Sequence, residues 1–242
     1  MSVIIPALNE EGGIAGVVMG IEQALNEIVL DKVSILVVDN GSTDKTARCA
    51  ADAGAEVINA PRRGYGSACL AGIEALPDAT NIVLFLDGDG SDHPDDAKSI
   101  LAPILDGQAE LVIGSRILGA QAGWVEKGAL TVPQHFGNWL ATGLLRLGYG
   151  AHFTDLGPFR AVTAEGLRAL KMDDQDFGWT VQMQIRAAKN NMTFQEVPVS
   201  YSCRKSGQSK VSGSLRGAVL AGFIILRTLA REYRFGSSKA KG

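Results

Sequence analysis

Short runs of apolar, β-branched residues alternate with helical patterns through the first half of the chain. The apolar runs predict strands near residues 2–6, 33–39, 55–59, 81–87 and 109–114, and the stretches between them predict helices near 11–29, 43–52, 65–76 and 94–106. This alternation implies an α/β fold with an open, Rossmann-like, mainly parallel sheet flanked by helices, in which ligands bind at the carboxyl ends of the strands. The second half is less regular. It carries a Gly-rich loop from Gly114 to Gly128, a helix from about Pro133 to Leu147, a short strand at Phe159–Val162, a helix over Phe177–Ala188 and a strand at Phe194–Val199.

Polar clusters fall where the first four apolar runs stop: Pro6 to Glu10, Asp39 to Thr43, Arg62 to Gly66 and Asp87 to Asp92. In LFLDGDGSDHP, residues 84–94, a buried strand empties into Asp87, Asp89 and Asp92 with glycines between them. Two carboxylates one residue apart at a strand end suit a hard divalent cation, Mg²⁺ or Mn²⁺, bridging to a diphosphate; a solvated acidic turn is the plainer alternative. An EF-hand would want Gly where Asp92 stands and Glu where Lys98 stands, so a calcium loop is not expected. A phosphatase aspartate pair would close the first strand of its domain, whereas this pair closes the fourth.

VVDNGSTDKT, residues 37–46, has the same form: Asp39 at the strand end suits hydrogen bonds to a base or ribose, while Thr43 and Asp44 suit a helix cap. PRRGYGSA, residues 61–68, sets Arg62 and Arg63 beside Gly64 and Gly66 at a helix start, a candidate anion site. The spacing is not that of a dinucleotide fold, and it follows the third strand, not the first.

Charge divides the chain unevenly. From Tyr201 onward nine Lys and Arg face Glu232 alone, so the last 42 residues carry +8 and the first 200 carry −11. A body of that sign excludes a general nucleic-acid binder and leaves a basic, surface-seeking end. Over Leu215–Arg234 four arginines (Arg216, Arg227, Arg231, Arg234) share one helical side, with Leu215, Val219, Leu226, Leu229 and Tyr233 on another. The longest uncharged run there, Gly217–Leu226, is too short to span a bilayer. The helix is expected either to lie on an anionic membrane or to pack on the domain or a partner chain. Three scattered cysteines, Cys49, Cys69 and Cys203, suggest reduced thiols, and no basic stretch or cleavage site precedes Val3. The expected location is the cytoplasm, with peripheral contact at the inner face of the membrane.

Taken in order, PALNE at 6–10, VDNGSTDKT at 38–46, RRGYGSA at 62–68, DGDGSDHP at 87–94, GSR at 114–116 and TDLGPFRA at 154–161 resemble the inverting family 2 glycosyltransferases. Within that family the sequence is most similar to the polyprenyl-phosphate (dolichol-phosphate) hexosyltransferases, over roughly residues 2–212. The resemblance implies a GT-A fold over 1–212; helical periodicity places an amphipathic basic helix over 213–235, and composition a disordered tail over 236–242. It implies Pro6, Asn9, Glu10 and Asp39 around the nucleoside, Asp87 and Asp89 at the metal, Arg116 and Arg160 near phosphates, and Arg204, Ser209 and Lys210 of RKSGQSK closing over the site.

Four positions depart from the family pattern. Asn40 replaces the second acid of V-D-D, Ser91 stands where many relatives have Gln, and Gln182 stands where they have Glu. The loop at Gln134 and His135 lacks the expected arginine, leaving Lys127 or His135 for an acceptor phosphate. The expected reaction moves a hexose from a nucleotide sugar, with UDP-glucose ranked ahead of GDP-mannose, to a polyprenyl phosphate. Asp155 is the candidate base or acceptor-positioning residue, weighed against a plain structural role. The competing reading is a catalytically silent, nucleotide-sugar-binding or membrane-associated scaffold, which Asn40 and Gln182 keep open.

Overall fold

A computed structural model describes residues 1–28, 33–60, 62–204, 223 and 226–232. Strand β1 (Ser2–Ala7) lies near the middle of a seven-stranded sheet and pairs in parallel with β2 (Ser34–Asp39) on one side and β4 (Ile82–Phe85) on the other. Outside β2 runs β3 (Glu56–Asn59), also parallel. Beyond β4 the pattern changes: β6 (Arg160–Thr163) inserts antiparallel between β4 and β5 (Leu111–Ser115), and β7 (Phe194–Pro198) closes the edge parallel to β5. The order is β3-β2-β1-β4-β6-β5-β7.

Helices on both faces explain why the strands read as continuous apolar runs. Alternate residues divide between two cores: Ile4, Leu36, Val38 and Phe85 pack with Trp179 on one face, and Val3, Ile5, Val37 and Leu84 pack with Ile14 and Ile21 on the other. Helices α1 (Ile14–Asn26), α2 (Thr46–Asp52), α3 (Tyr65–Glu74) and α4 (Ala97–Leu105) follow the first four strands as the pattern predicts, α4 after a 3₁₀ turn at Pro94–Asp96. Register sets the functional edge. Ala7 pairs with Asp39 and Asp39 with Asn59, and the ladder continues through Asn40 N to Ala7 O (2.9 Å) and Ala60 N to Asp39 O (2.9 Å). The loops therefore leave the sheet along one rim.

Two helices escape the sequence pattern. The Gly-rich stretch after β5 begins with α5 (Arg116–Gln121), capped by the Ser115 hydroxyl, which accepts from Leu118 N at 3.1 Å. Gly119 belongs there because a Cβ would lie 1.9 Å from the Val199 carbonyl; it is a packing glycine, not a loop glycine. Helix α7 (Ala164–Leu170) follows β6 directly, with Thr163 as its cap. Helix α6 (Val132–Tyr149) has a Thr131–Gln134 capping box and ends on Gly150 at φ 66°, and α8 (Trp179–Lys189) precedes β7.

The described part of the tail, residues 226–232, is helical and lies on the domain. Thr228, Leu229 and Glu232 are buried, with Glu232 paired to Arg186 (2.7 Å) and Lys189 (3.3 Å) of α8. Arg231 pairs with Asp173 and Asp174, so of the two expectations for the tail this portion follows packing on the domain. The remainder of 213–235, the tail 236–242, and Ser209 and Lys210 lie outside the described residues. Among the described residues no helix is long and apolar enough to cross a membrane.

Candidate active site

At the rim where β1, β2 and β4 end, a cleft of about 420 Å³ opens between the loops. Pro6, Leu8 and Glu10 form one wall, Asn40, Arg63, Gly64 and Tyr65 a second, and Asp87 and Asp89 the floor. Arg116, Leu156, Pro158, Phe177, Thr180 and Arg204 face them.

The floor holds more negative charge than its neighbours balance. Asp89 and Asp92 are buried and Asp87 is half-buried. Asp89 Oδ1 accepts from Ser91 N (2.8 Å) and its Oδ2 meets Arg204 Nη2 (2.8 Å), while Asp92 Oδ2 accepts from Asp87 N (3.2 Å). Asp87 Oδ1 and Asp92 Oδ1 have no hydrogen-bond partner among the described residues. Burial, then the charge of Asp89, pushes the Asp87 carboxyl up to about 7. Burial and the charges of Asp87 and Asp89 push Asp92 well above the usual carboxylate range. Buried oxygens without donors, repelling one another at a cleft floor, fit a divalent cation. Among the described residues no group of three His, Cys, Asp or Glu side chains is disposed to hold a metal unaided, so a cation here needs oxygens from water or a diphosphate. The Ser91 carbonyl accepts from Ser202 N (3.0 Å).

Arg204 reaches the floor from the far end of the chain. Besides Asp89 it meets Glu10 Oε1 at 3.1 Å, joining the loops that follow β1 and β4. The segment that carries it crosses the acidic motif: Ser202 contacts His93 Nε2 (2.6 Å) and Ser200 N donates to Asp96 Oδ2 (2.6 Å).

Behind the wall, side chains lock the loops to each other. Asn9 adopts φ 53°, its Oδ1 accepts from Thr43 N (2.8 Å), and its own amide donates to the Ser42 hydroxyl (2.9 Å). Asp39 Oδ1 accepts from Ser42 N (3.0 Å), so both residues flank the cleft in loop-shaping roles. Asn40 explains its own departure from the acidic pattern. Its Nδ2 donates to Arg62 O (2.7 Å) and its Oδ1 accepts from Gly64 N (2.7 Å), a pairing an ionised Asp cannot make because it has no donor.

Several residues expected at phosphates have other work. Arg62 turns away to the Gln175 side chain and a separate polar cavity, and Arg63 takes its place in the cleft, donating to Gly41 O (3.0 Å). The anion site at Gly64 and Gly66 is corrected as well. The amides of Gly66 and Ser67 donate to the carbonyls of Asp176 (3.2 Å) and Gln175 (2.9 Å), so backbone already occupies the helix start. A Cβ at Gly66 would lie 2.2 Å from Asp174 O, and one at Gly64 2.3 Å from Gln175 O. Both glycines admit the 173–177 segment, and Gly64 also lines the cleft.

Arg160 is fully buried. It donates to the carbonyls of Gly157 (2.9 Å), Leu156 (2.8 Å) and Thr180 (3.2 Å), and burial pushes its guanidinium down to about 10. It braces the cleft wall from behind and does not line the cleft. Asp155, read as a candidate base, is enclosed. Its Oδ2 accepts from Arg116 N and Nε and its Oδ1 from Arg116 Nη2, all at 2.8 Å, and its amide is held by Glu196 (3.1 Å). Burial alone would raise its pKa, but the Arg116 charge and hydrogen bonds overcome it and hold the carboxyl low. A carboxylate so engaged is a poor proton acceptor; it orients Arg116, which lines the cleft and stacks 5.2 Å from the Tyr201 ring centre. Gln182, the other departure, donates to Asp173 Oδ1 (2.6 Å) and Glu232 Oε1 (3.0 Å); Glu there would set three carboxylates together. Sequence reading missed Tyr65, Phe177 and Thr180 as lining residues, of which only Tyr65, between two glycines, carried a signal.

Residues 2–168 match the family model described as glycosyl transferase family 2. An uncharacterised glycosyltransferase of Mycobacterium tuberculosis is 37% identical over 91% of this chain and 94% of its own length. The polyprenol monophosphomannose synthase of Mycolicibacterium smegmatis is 31% identical over 88% and 81% respectively. Among solved structures, glucosyl-3-phosphoglycerate synthase from Mycobacterium tuberculosis, in complex with Mn²⁺, UDP-glucose and phosphoglyceric acid, superposes with a TM-score of 0.75 at 24% identity, covering 96% of this chain and 79% of that one. That likeness establishes the GT-A fold.

Proposed function

This chain belongs to glycosyltransferase family 2, and from that premise we propose that it transfers a hexose from a nucleoside-diphosphate sugar to a polyprenyl monophosphate with inversion. The observation that carries the reading is the composition of the cleft: Asp87, with an unanswered oxygen, beside Asp89, and the cations of Arg63, Arg116 and Arg204 around them. Such a cleft suits a diphosphate with its metal ion and, opposite, a second anion. Asp87 and Asp89 are the residues that would hold a Mg²⁺ or Mn²⁺ ion, which would supply neutralisation of the charge on the leaving group.

The protein's own groups supply the rest. Pro6 and Leu8 give the nucleoside an apolar wall, and Glu10 sits within reach of its polar edge. Arg116, fixed by Asp155, and Arg63 face the phosphates. In the transfer, an acceptor oxygen forms a bond to the anomeric carbon as the bond from that carbon to the diphosphate breaks, and the electron pair leaves with the nucleoside diphosphate. The engagement of Asp155 bears on the acceptor. A hydroxyl acceptor needs a base to take its proton, whereas a phosphate monoester is already ionised at neutral pH and needs none. The polyprenol relative, whose name specifies a lipid phosphate, supports the same choice. Asn40 and Gln182 have structural partners, which removes the reason to favour a silent scaffold.

The test is transfer of labelled hexose, with UDP-glucose and GDP-mannose in parallel, to a short-chain polyprenyl phosphate in the presence of Mn²⁺. Metal-dependent formation of a glycolipid phosphate from one donor is expected. Transfer only to a free alcohol or to a soluble phosphorylated acid would overturn the acceptor, and no turnover with either donor would overturn the reading.

A further inference from the structure

Helix α6 presents apolar residues to solvent along one side. Val132, Phe136, Trp139 and Leu147 are 81%, 60%, 67% and 85% exposed, and at 100° per residue they fall, with Gly143, inside an arc of about 80°. Buried Ala141 and Leu145 project on the opposite side, so the exposed stripe is a second face and not the edge of the core. The Phe136 and Trp139 rings lie 5.9 Å apart, and Trp124, 51% exposed, stands on the loop leading into the helix. The other exposed large hydrophobics of the sheet domain, Met19 and Leu105, are single residues on separate helices.

Charge indicates what this face meets. In a body of net −11, α6 contains no Asp or Glu in 18 residues, and its cation Arg146 flanks the stripe together with His135, while Lys127 precedes it. Aromatic and aliphatic residues in line, bordered by basic ones, are the composition of a helix lying in the interface of an anionic bilayer. Position supplies the third argument. Asn138 of α6 donates to Thr154 O (2.8 Å) and accepts from Leu156 N (2.8 Å), and Leu156 lines the cleft. The inner side of α6 thus holds the part of the cleft wall that Leu156 forms.

We propose that the outer face of α6, centred on Phe136 and Trp139, is the surface by which this protein lies on an anionic lipid bilayer, and that it sets the cleft mouth at Leu156 and Pro158 against the headgroup layer. The surface is distinct from the C-terminal helix, of which residues 226–232 turn Leu229 into the core and Arg231 toward Asp173 and Asp174. The proposal rests on the lipid-phosphate reading, and its test separates the two.

Full-length protein is sedimented with phosphatidylcholine vesicles with and without phosphatidylglycerol, alongside Phe136→Ser/Trp139→Ser and Phe223→Ser/Leu226→Ser. The α6 pair should lower partition onto anionic vesicles at least about tenfold, with an unchanged melting temperature because both rings are already exposed. It should keep its transfer rate on a short-chain acceptor in solution and lose it on acceptor embedded in vesicles. Unchanged partition of the α6 pair, loss confined to the Phe223/Leu226 pair, or conversion of a wild-type dimer to monomer by the α6 substitutions would each overturn the surface. Vesicle binding that depends on α6 in a protein with no transfer to any lipid phosphate would sustain the surface and sink the acceptor reading.

Discussion

Two buried clusters of charge lie on opposite sides of the cleft, and they are built on different terms. At the end of β4, Asp87, Asp89 and Asp92 crowd together with two oxygens lacking donors, and the pKa values of Asp87 and Asp92 are driven upward. Under the 154–160 loop, Asp155 meets Arg116 at every available oxygen, Glu196 receives the amides of Thr154 and Asp155, and Arg160 is surrounded by carbonyls. One cluster is left unsatisfied by its own fold, and the other is satisfied almost completely within it. Groups kept for a ligand are recognised by what the protein does not give them; groups that build the wall are recognised by mutual pairing.

The largest expected effect tests the satisfied side. Asp155→Ala should lower stability by about 3–5 kcal/mol, because it leaves Arg116 buried without its counter-ion. Urea denaturation checks this, and a loss below about 1 kcal/mol would show that the pair is dispensable to the fold. The unsatisfied side should respond in the opposite sense. Asp87→Asn should lower the transfer rate by about 10²–10³-fold, as expected for loss of charge stabilisation at the leaving group, with the denaturation midpoint close to wild type. Near-wild-type turnover would place the metal elsewhere.

The same contrast explains what the sequence made legible. On the β1–β4 side a parallel sheet puts each strand end on one rim, so the polar residues that stop an apolar run are also those that meet in space; Pro6, Glu10, Asp87 and Asp89 line one cleft for that reason. Past β4 the chain inserts β6 antiparallel, and sequence order ceases to report position. Arg160 was placed near phosphates by the resemblance and Asp155 read as a candidate base or a structural residue, and nothing local in the sequence reveals a carbonyl cage or a partner 39 residues away. Gly64 and Gly66 looked like phosphate-binding glycines for a related reason. The backbone that approaches them belongs to residues 174–176, more than 100 positions later. Helix α5 was hidden by Gly119, which the approach of Val199 demands and helix propensity would refuse.

The smallest predicted effect distinguishes the clusters without chemistry. A carboxyl whose pKa is higher folded than unfolded binds more protons in the native state, so its contribution to stability declines as pH rises through the folded value. For Asp87, raised from 3.8 to about 7, that decline begins above the ordinary carboxylate value and is complete by about pH 8, so its last part falls between pH 6 and 8; Asp92 is shifted the same way by burial and the charges of Asp87 and Asp89. Asp155 is shifted downward: its contribution is present above the ordinary carboxylate range, is lost only in acid, and is flat across this window. Metal-free protein should therefore melt roughly 2–4 °C lower at pH 8 than at pH 6, corresponding to about 1 kcal/mol. Asp87→Asn should flatten that slope, since removing one carboxylate also relieves Asp92, and added Mn²⁺ should flatten it in the wild type by binding the ionised pair. A slope that survives Asp87→Asn unchanged would mean that the strain lies elsewhere than on the cleft floor, and the contrast between the two clusters would lose its unsatisfied member.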